Sequence, residues 1–136
     1  MKYLLDTNVV SELRRKAPDA KVLTWFRRTD PATLHIGVLT LGEIARGIES
    51  LARRDAAAAR GLRKWLDGLR EHYADRLVAV DAEIAEEWGR LSAARPLPVI
   101  DGLLAATASA RGMTLVTRNR RDFAGTGVAV VDPWNA

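Results

Sequence analysis

The sequence predicts a three-layer α/β/α sandwich around a mainly parallel sheet of about five strands. Short apolar runs alternate with amphipathic stretches along the 136 residues, which is typical of strand–helix–strand units. No internal repeat or linker is visible, so residues 1–136 are expected to form one domain. Parallel sheets of this kind bind ligands at the carboxyl ends of their strands, and residues just after each strand are the first candidates for a site.

The first half of the chain is predicted to hold two strands and four helices. The apolar runs Lys2–Asp6 and Leu34–Gly37 are predicted strands. Short helices are expected over Asn8–Lys16, with Pro18 just beyond its end, and over Ala20–Arg28. One helical face then recurs in the residues Leu41, Ile44, Ala45, Ile48 and Leu51. The next predicted helix, 56–73, carries an apolar stripe consisting of Leu62, Leu66, Leu69 and Tyr73.

The second half is predicted to add three strands and two helices. The strands are expected at Leu77–Val80, Thr114–Thr117 and Val128–Val131. Asp81 is a suitable cap for a helix that ends before Pro96 and whose apolar face is formed by Ile84, Trp88 and Leu91. The helix 102–110 is almost entirely apolar and must be buried, and Gly112 is expected to end it.

Composition limits the chemistry that the protein can perform. The chain has no cysteine, which excludes disulfides, thiolate metal sites and cysteine nucleophiles. It carries 21 Lys and Arg against 17 Asp and Glu, a net charge of +4 that is compatible with nucleic acid but is weak evidence alone. No signal peptide or membrane span is visible, so a soluble cytoplasmic protein is expected.

Two candidate site residues lie in the first third of the chain, and each has a structural alternative. Asp6 ends the first predicted strand, where the crevice rule expects ligands, but an Asx turn into the next helix would explain it equally. Glu43 lies near the start of the third predicted helix. There, Thr40 and Glu43 have the spacing of a capping box, which on its own is the favoured interpretation of Glu43.

Two further carboxylates lie in the last third. Asp101 could be the N-cap of the buried helix, but its apolar neighbours favour function, because an unpaired anion is costly to desolvate. Asp122 follows the fourth strand beside Arg118, Arg120 and Arg121. It is either a solvated loop carboxylate or a fourth acid with cations poised for phosphate.

The joint placement of the four acids is stronger than any one of them. If their loops converge on one sheet edge, the carboxylates repel one another and their pKa values rise. A divalent cation would relieve that repulsion, and hard oxygen ligands select Mg²⁺ or Mn²⁺.

Four motifs in order resemble the PIN-domain family, and within it the VapC-type toxins of bacterial toxin–antitoxin pairs. They are LLDTN at residues 4–8, the helix start at Glu43, PVID with AATA at 98–101 and 105–108, and TRN with DF at 117–119 and 122–123. The resemblance covers essentially the whole chain, to about Pro133. It implies a PIN-like fold and a Mg²⁺-dependent endoribonuclease with a cognate antitoxin, and a homodimer is a further expectation from the family. Carried across, the acidic cluster is Asp6, Glu43, Asp101 and Asp122, with polar support from Asn8, Thr117 and Asn119.

Two other functions are weighed against a nuclease. Asp6 could be the aspartyl nucleophile of a phosphotransfer enzyme, but none of the four lysines is near a late strand, where such a site needs one. A non-catalytic RNA-binding domain would gain nothing from carboxylates clustered near phosphate.

The antitoxin is expected to lay a helix or an extended tail into a groove around Trp25–Phe26 and the stripe Leu62, Leu66 and Leu69.

Overall fold

The computed structural model describes all residues, 1–136, and contains a five-stranded sheet with helices on both faces. The strands are β1 (Tyr3–Leu5), β2 (Leu34–Gly37), β3 (Leu77–Val78), β4 (Thr114–Val116) and β5 (Val130–Val131). The helices are α1 (Thr7–Arg14), α2 (Ala20–Arg28), α3 (Val38–Ala52), α4 (Ala56–His72), α5 (Ala82–Ala94) and α6 (Val99–Arg111). Short 3₁₀ turns cover Pro31–Thr33, Ala74–Arg76 and Arg120–Phe123.

The sheet is parallel throughout, with strand order β3-β2-β1-β4-β5. The chain adds β2 and β3 on one side of β1 and then crosses to add β4 and β5 on the other side. The order therefore reverses between β1 and β4, and in open α/β sheets the crevice at such a reversal is where ligands bind. The predicted sandwich and its five strands are confirmed, although β3 and β5 are only two residues long.

Alternating side chains of the central strands divide the core into two layers. Leu4 of β1 and Leu115 of β4 are fully buried against α5 and α6. Their neighbours Leu5 and Val116 are fully buried on the opposite face, against α1, α2 and α4. This period-two alternation is what a strand imposes, and it makes each central strand apolar on both faces.

The predicted helix boundaries hold within about two residues, with two exceptions that matter for the site. Helix α3 begins at Val38 and α6 at Val99, both earlier than predicted. The apolar helix α6 is buried along most of its length, and Gly112 ends it at φ 64°, in the left-handed region, as predicted. None of the six helices combines the length and apolar character that crossing a membrane requires.

Candidate functional site

All four candidate carboxylates belong to the edge of the sheet where the strands end. Asp6 follows β1 directly, and Asp122 lies in the 3₁₀ turn after β4. Glu43 lies in the second turn of α3, which begins immediately after β2. Asp101 lies in the first turn of α6, the helix that leads back into β4, so that its N-terminus is at the same edge. The expected convergence of these four acids is thus what the topology produces.

Asp6 lies at the centre of this edge and is the most deeply buried of the four, with 8% of its surface exposed. Its carboxylate accepts hydrogen bonds from the Thr7 backbone N–H (2.7 Å), the Thr117 hydroxyl (2.7 Å) and the Asn8 amide (3.4 Å). Burial raises the pKa of Asp6, while the bonds from Thr117 and Thr7 oppose the rise. The charges of Glu43 and Asp101 raise this pKa further.

The structural alternative for Asp6, a turn into the next helix, agrees with its place at the start of α1. Asp6 is the N-cap of α1, because its side chain accepts from the Thr7 N–H. Capping uses Oδ1, whereas Oδ2 faces Thr117 and Asn8, so one carboxylate serves both the helix start and the polar edge.

Glu43 is held by a residue that the sequence did not single out. The Thr7 hydroxyl donates to Glu43 Oε1 at 2.6 Å, and its oxygen lies 3.1 Å from the hydroxyl oxygen of buried Thr40. The capping box of Thr40 and Glu43 is wrong, because α3 begins at Val38 after Gly37 and contains Thr40 within it. Only the position of Thr7 beside Asp6 could have indicated its role.

Asp101 is not an N-cap, so that alternative is also wrong. Pro98 precedes the first helical residue, Val99, and Asp101 is the third residue of α6. Its preceding neighbours do not bury it, since Val99 and Ile100 are 59% and 37% exposed. Partial burial by the rest of the fold is the largest cause of a raised pKa at Asp101, followed by repulsion from Asp122 and then Glu43.

Asp122 is exposed, and its carboxylate makes no hydrogen bond or ion pair within the chain. It nevertheless lies near enough to Asp101 to raise the pKa of that group. The prediction that Asp122 joins the other acids agrees with this electrostatic coupling, and its solvated position agrees with the structural alternative.

The three predicted supporting residues contribute unequally. Asn8 donates its amide to Thr117 Oγ1 at 3.2 Å and accepts the backbone N–H of Arg118 at 3.3 Å. Thr117 is fully buried and bonds to Asp6. Asn119 contributes through its backbone N–H, which donates to Thr117 Oγ1 at 3.1 Å, while its exposed side chain makes no contact with the acids.

The donor set fits a hard divalent cation. All four candidates are carboxylates that repel one another, and carboxylate oxygens are what Mg²⁺ and Mn²⁺ prefer. No three of them are close enough together to form a ready-made ligand set. The side chains of Glu43 and Asp122 are exposed and have room to move inward.

The predicted partner groove is partly wrong. Leu66 cannot line a groove, because it is 5% exposed and packs between α3 and α4 with Ile48 and Ala59. Its neighbour Trp65 lines two adjacent cavities together with Arg14, whose guanidinium lies 5.6 Å from the Trp65 ring centre.

These two cavities are lined by three of the five predicted groove residues. One has about 160 Å³ and includes Phe26 and Leu69. The other has about 300 Å³ and extends from Leu62 to Thr7 and Glu43. Trp25 lies outside both cavities and packs edge-on against Tyr3, with ring centres 5.2 Å apart.

Comparisons with known proteins agree with this architecture. The sequence model of the family described as PIN domain matches residues 3–128. The plasmid stability protein StbB of Pseudomonas syringae pv. tomato is 31% identical over 140 residues, covering 98% of this chain and 99% of that protein. The VapC ribonuclease Y4jK of Sinorhizobium fredii is 31% identical over 139 residues, covering 96% of each chain.

A solved structure extends the likeness to three dimensions. In the crystal structure of FitAcB from Neisseria gonorrhoeae, one chain is 26% identical and superposes with a TM-score of 0.88, over 98% of this chain and 99% of that one. The match to the family covers the whole sheet edge that carries Asp6, Glu43, Asp101 and Asp122. The chain therefore belongs to the PIN-domain family and resembles its VapC-type members.

Proposed function

We propose that this protein is a Mg²⁺-dependent endoribonuclease that hydrolyses RNA phosphodiester bonds. The observation that carries the proposal is the convergence of four mutually repelling carboxylates on one sheet edge, where Asp6 and Asp101 have raised pKa values. The relatives named as ribonucleases support the same reaction class. When bound, the cation lowers the pKa of an attacking water and offsets charge that develops on the phosphate oxygens.

The protein's own part is to bring the carboxylates to one edge of the sheet and to orient two of them. Asp6, Glu43, Asp101 and Asp122 would bind the cation, with Mn²⁺ as an alternative to Mg²⁺. Thr117 and Asn8 fix Oδ2 of Asp6, and Thr7 fixes Oε1 of Glu43. These bonds orient Asp6 and Glu43 before the cation binds, and the exposed side chains of Glu43 and Asp122 would move inward to complete the ligand set.

The phosphotransfer alternative is less favourable on this geometry. Such a site needs a lysine beside the nucleophile, and the groups that contact the Asp6 carboxylate belong to Thr7, Asn8 and Thr117. Incubation with a phosphoryl donor such as acetyl phosphate should therefore leave no acyl phosphate on Asp6.

We also propose that the protein is the toxin of a type II toxin–antitoxin pair and acts in the cytoplasm. Relatives carry the names toxin FitB and VapC ribonuclease, and structures of similar fold are described as toxin–antitoxin complexes. The antitoxin would occupy the two cavities shared by Arg14 and Trp65, one of which extends to Glu43. Homodimerisation is proposed from the family, and light scattering of the purified complex tests it.

The deciding experiment is cleavage of a structured RNA by the purified protein with Mg²⁺ and with EDTA. We expect cleavage with Mg²⁺, none with EDTA, and recovery when Mg²⁺ or Mn²⁺ is restored. Arg70→Ala, an exposed change on α4, is the control for general effects of substitution. Cleavage that persists in EDTA would refute the metal-dependent reaction, and a preparation that never cleaves RNA would refute the nuclease.

A further inference from the structure

Beside the acidic edge lies an open depression of about 630 Å³ whose lining includes three arginines. Its polar lining consists of Arg118, Asn119, Arg120, Arg121, Asp122 and Asp132. The three arginines are exposed, and none forms an ion pair with any carboxylate of the chain. Arginines elsewhere that do form ion pairs include Arg15 after α1, Arg63 of α4, Arg90 of α5 and Arg111 of α6.

The two aspartates of the depression do not neutralise these arginines. Asp132 accepts the Trp134 backbone N–H at 2.9 Å and the Asn135 amide at 2.7 Å, which holds it in the chain's last turn. Asp122 forms no ion pair with them, and its charge raises the pKa of Asp101. The depression therefore offers three uncommitted guanidinium groups next to four carboxylates that would by themselves repel a polyanion.

Arg118 is the best organised of the three. Its guanidinium carbon lies 5.0 Å from the centre of the Trp134 ring, the geometry of a cation–π contact. Its backbone N–H donates to Asn8, whose amide contacts Asp6 and Thr117. A planar guanidinium resting on an aromatic face keeps its N–H edges free, and those edges suit phosphate oxygens.

We propose that this depression binds the phosphodiester backbone of the RNA strand beside the cleaved bond, with Arg118 oriented by Trp134 and assisted by Arg120 and Arg121. The proposal rests on the proposed ribonuclease function and adds to it where the substrate lies. Recognition is of phosphate, so the site does not read base sequence. Trp134 is a positioning residue, because one face of its ring already carries Arg118.

Binding is measured in EDTA, where the proposed reaction cannot proceed, by fluorescence anisotropy with a labelled single-stranded RNA of about 12 nucleotides. Arg118→Ala and Arg121→Ala should each weaken binding roughly tenfold, the loss expected for one charge-assisted hydrogen bond. Each should also lower the slope of log affinity against log salt by about 0.7, the value for one phosphate on a single strand. Arg70→Ala on α4 removes the same charge outside the depression and should change neither quantity by as much.

The role of Trp134 is tested by a double-mutant cycle. Trp134→Leu should weaken RNA binding in the wild-type background but not in the Arg118→Ala background, and Trp134→Phe should restore most of the affinity. A Trp134→Leu effect of equal size in both backgrounds would show a general structural role and overturn the positioning claim.

The outcome separates this proposal from the proposed function. If the protein cleaves RNA with Mg²⁺ but Arg118→Ala and Arg121→Ala bind RNA like Arg70→Ala, the depression is not the RNA site and this inference is overturned. If the two variants bind RNA weakly while the wild type never cleaves it, the RNA site stands and the nuclease proposal falls. Single-stranded DNA of the same sequence should respond to the variants by similar factors, and a loss confined to RNA would contradict phosphate recognition.

Discussion

The Thr117 hydroxyl donates a buried 2.7 Å hydrogen bond to Oδ2 of Asp6, at the point between β1 and β4 where the strand order reverses. The two residues are the first positions after β4 and β1, which pair in register through Leu5 and Val116. The same Thr117 oxygen accepts from Asn8 and from the Asn119 backbone, so the bond belongs to a network rather than to a single pair. This network fixes the most buried carboxylate of the candidate site.

The first prediction contrasts two substitutions that remove one negative charge each. Asp101→Asn and Asp6→Asn should both abolish RNA cleavage, because each removes a proposed cation ligand. Without metal, Asp101→Asn should unfold at the same temperature as the wild type or higher, since a repelled carboxylate is gone. Asp6→Asn should instead lose about 1 kcal/mol or more, because an amide cannot accept at both positions and its NH₂ group would face one of the present donors.

The measurements for this pair are RNA cleavage with Mg²⁺ and thermal unfolding in EDTA. The pH dependence of stability gives a second measurement. A carboxyl whose pKa is raised in the folded protein contributes stability that is present below pH 3.8 and is lost as pH rises through the folded value. Removing Asp101 should therefore flatten the decline of stability above pH 3.8. Full cleavage activity of Asp101→Asn would contradict its assignment as a ligand.

The second prediction concerns how Glu43 is held. Thr7→Val removes the hydroxyl that donates to Glu43 at 2.6 Å, while Thr7→Ser keeps it. We expect Thr7→Val to need a higher Mg²⁺ concentration for half-maximal cleavage, because Glu43 is no longer oriented before the cation binds. Mg²⁺ titration of RNA cleavage is the measurement, and equal midpoints for the Val and Ser variants would exclude this role.

The third prediction tests the proposed partner surface. Arg14→Ala and Trp65→Ala should weaken binding of the proposed cognate antitoxin by at least roughly tenfold, because both residues line both cavities. Thr24→Ala, an exposed change on α2 outside both cavities, is the control. Calorimetry gives the affinities, and circular dichroism verifies that each variant is folded. Unchanged affinity of a folded Arg14→Ala protein would place the partner elsewhere.

The fourth prediction concerns the contact between α5 and α6. A methyl group added at Gly102 would lie 2.9 Å from Nε1 of Trp88, a buried nitrogen without a hydrogen-bond partner. Gly102→Ala should therefore destabilise the protein by about 1–3 kcal/mol and, by moving the start of α6, reduce cleavage through Asp101. Gly89→Ala, which meets nothing within 4 Å on α5, should stabilise it by up to about 1 kcal/mol. Denaturant unfolding measures the free energy of unfolding of both variants. Equal changes in that free energy would contradict the packing argument.

The fifth prediction is a pH effect far from the acidic edge. Hydrogen bonds from Arg90 and from Ser109 lower the pKa of Glu87 from 4.5 to about 2. A depressed pKa contributes stability that is present above pH 4.5 and is lost as pH falls towards 2. Glu87→Gln should lower the stability of the protein at neutral pH. It should also reduce the loss of stability as pH falls from 4.5 to about 2. Denaturant unfolding across this pH range is the measurement, with exposed Glu86→Gln as control; an identical pH profile for both variants would refute the prediction.

The sequence by itself determined the alternation of strands and helices, the buried character of α6, its end at Gly112, and the four acids as candidates. These features follow from local periodicity and from the conformations that individual residues permit, which neighbours along the chain reveal. Asp6 could be singled out because it ends a predicted strand, and Asp101 because its neighbours in the sequence are apolar.

Only the tertiary structure decided which groups touch. Thr7 meets Glu43 across 36 positions, and Thr117 meets Asp6 across 111, because β1 lies between β2 and β4. In the folded chain Leu66 is buried, whereas its neighbour Trp65 lines the cavities. The Arg118 guanidinium lies over the Trp134 ring. Such contacts depend on which strands become neighbours and how helices pack on them, and no local pattern in the chain carries that information.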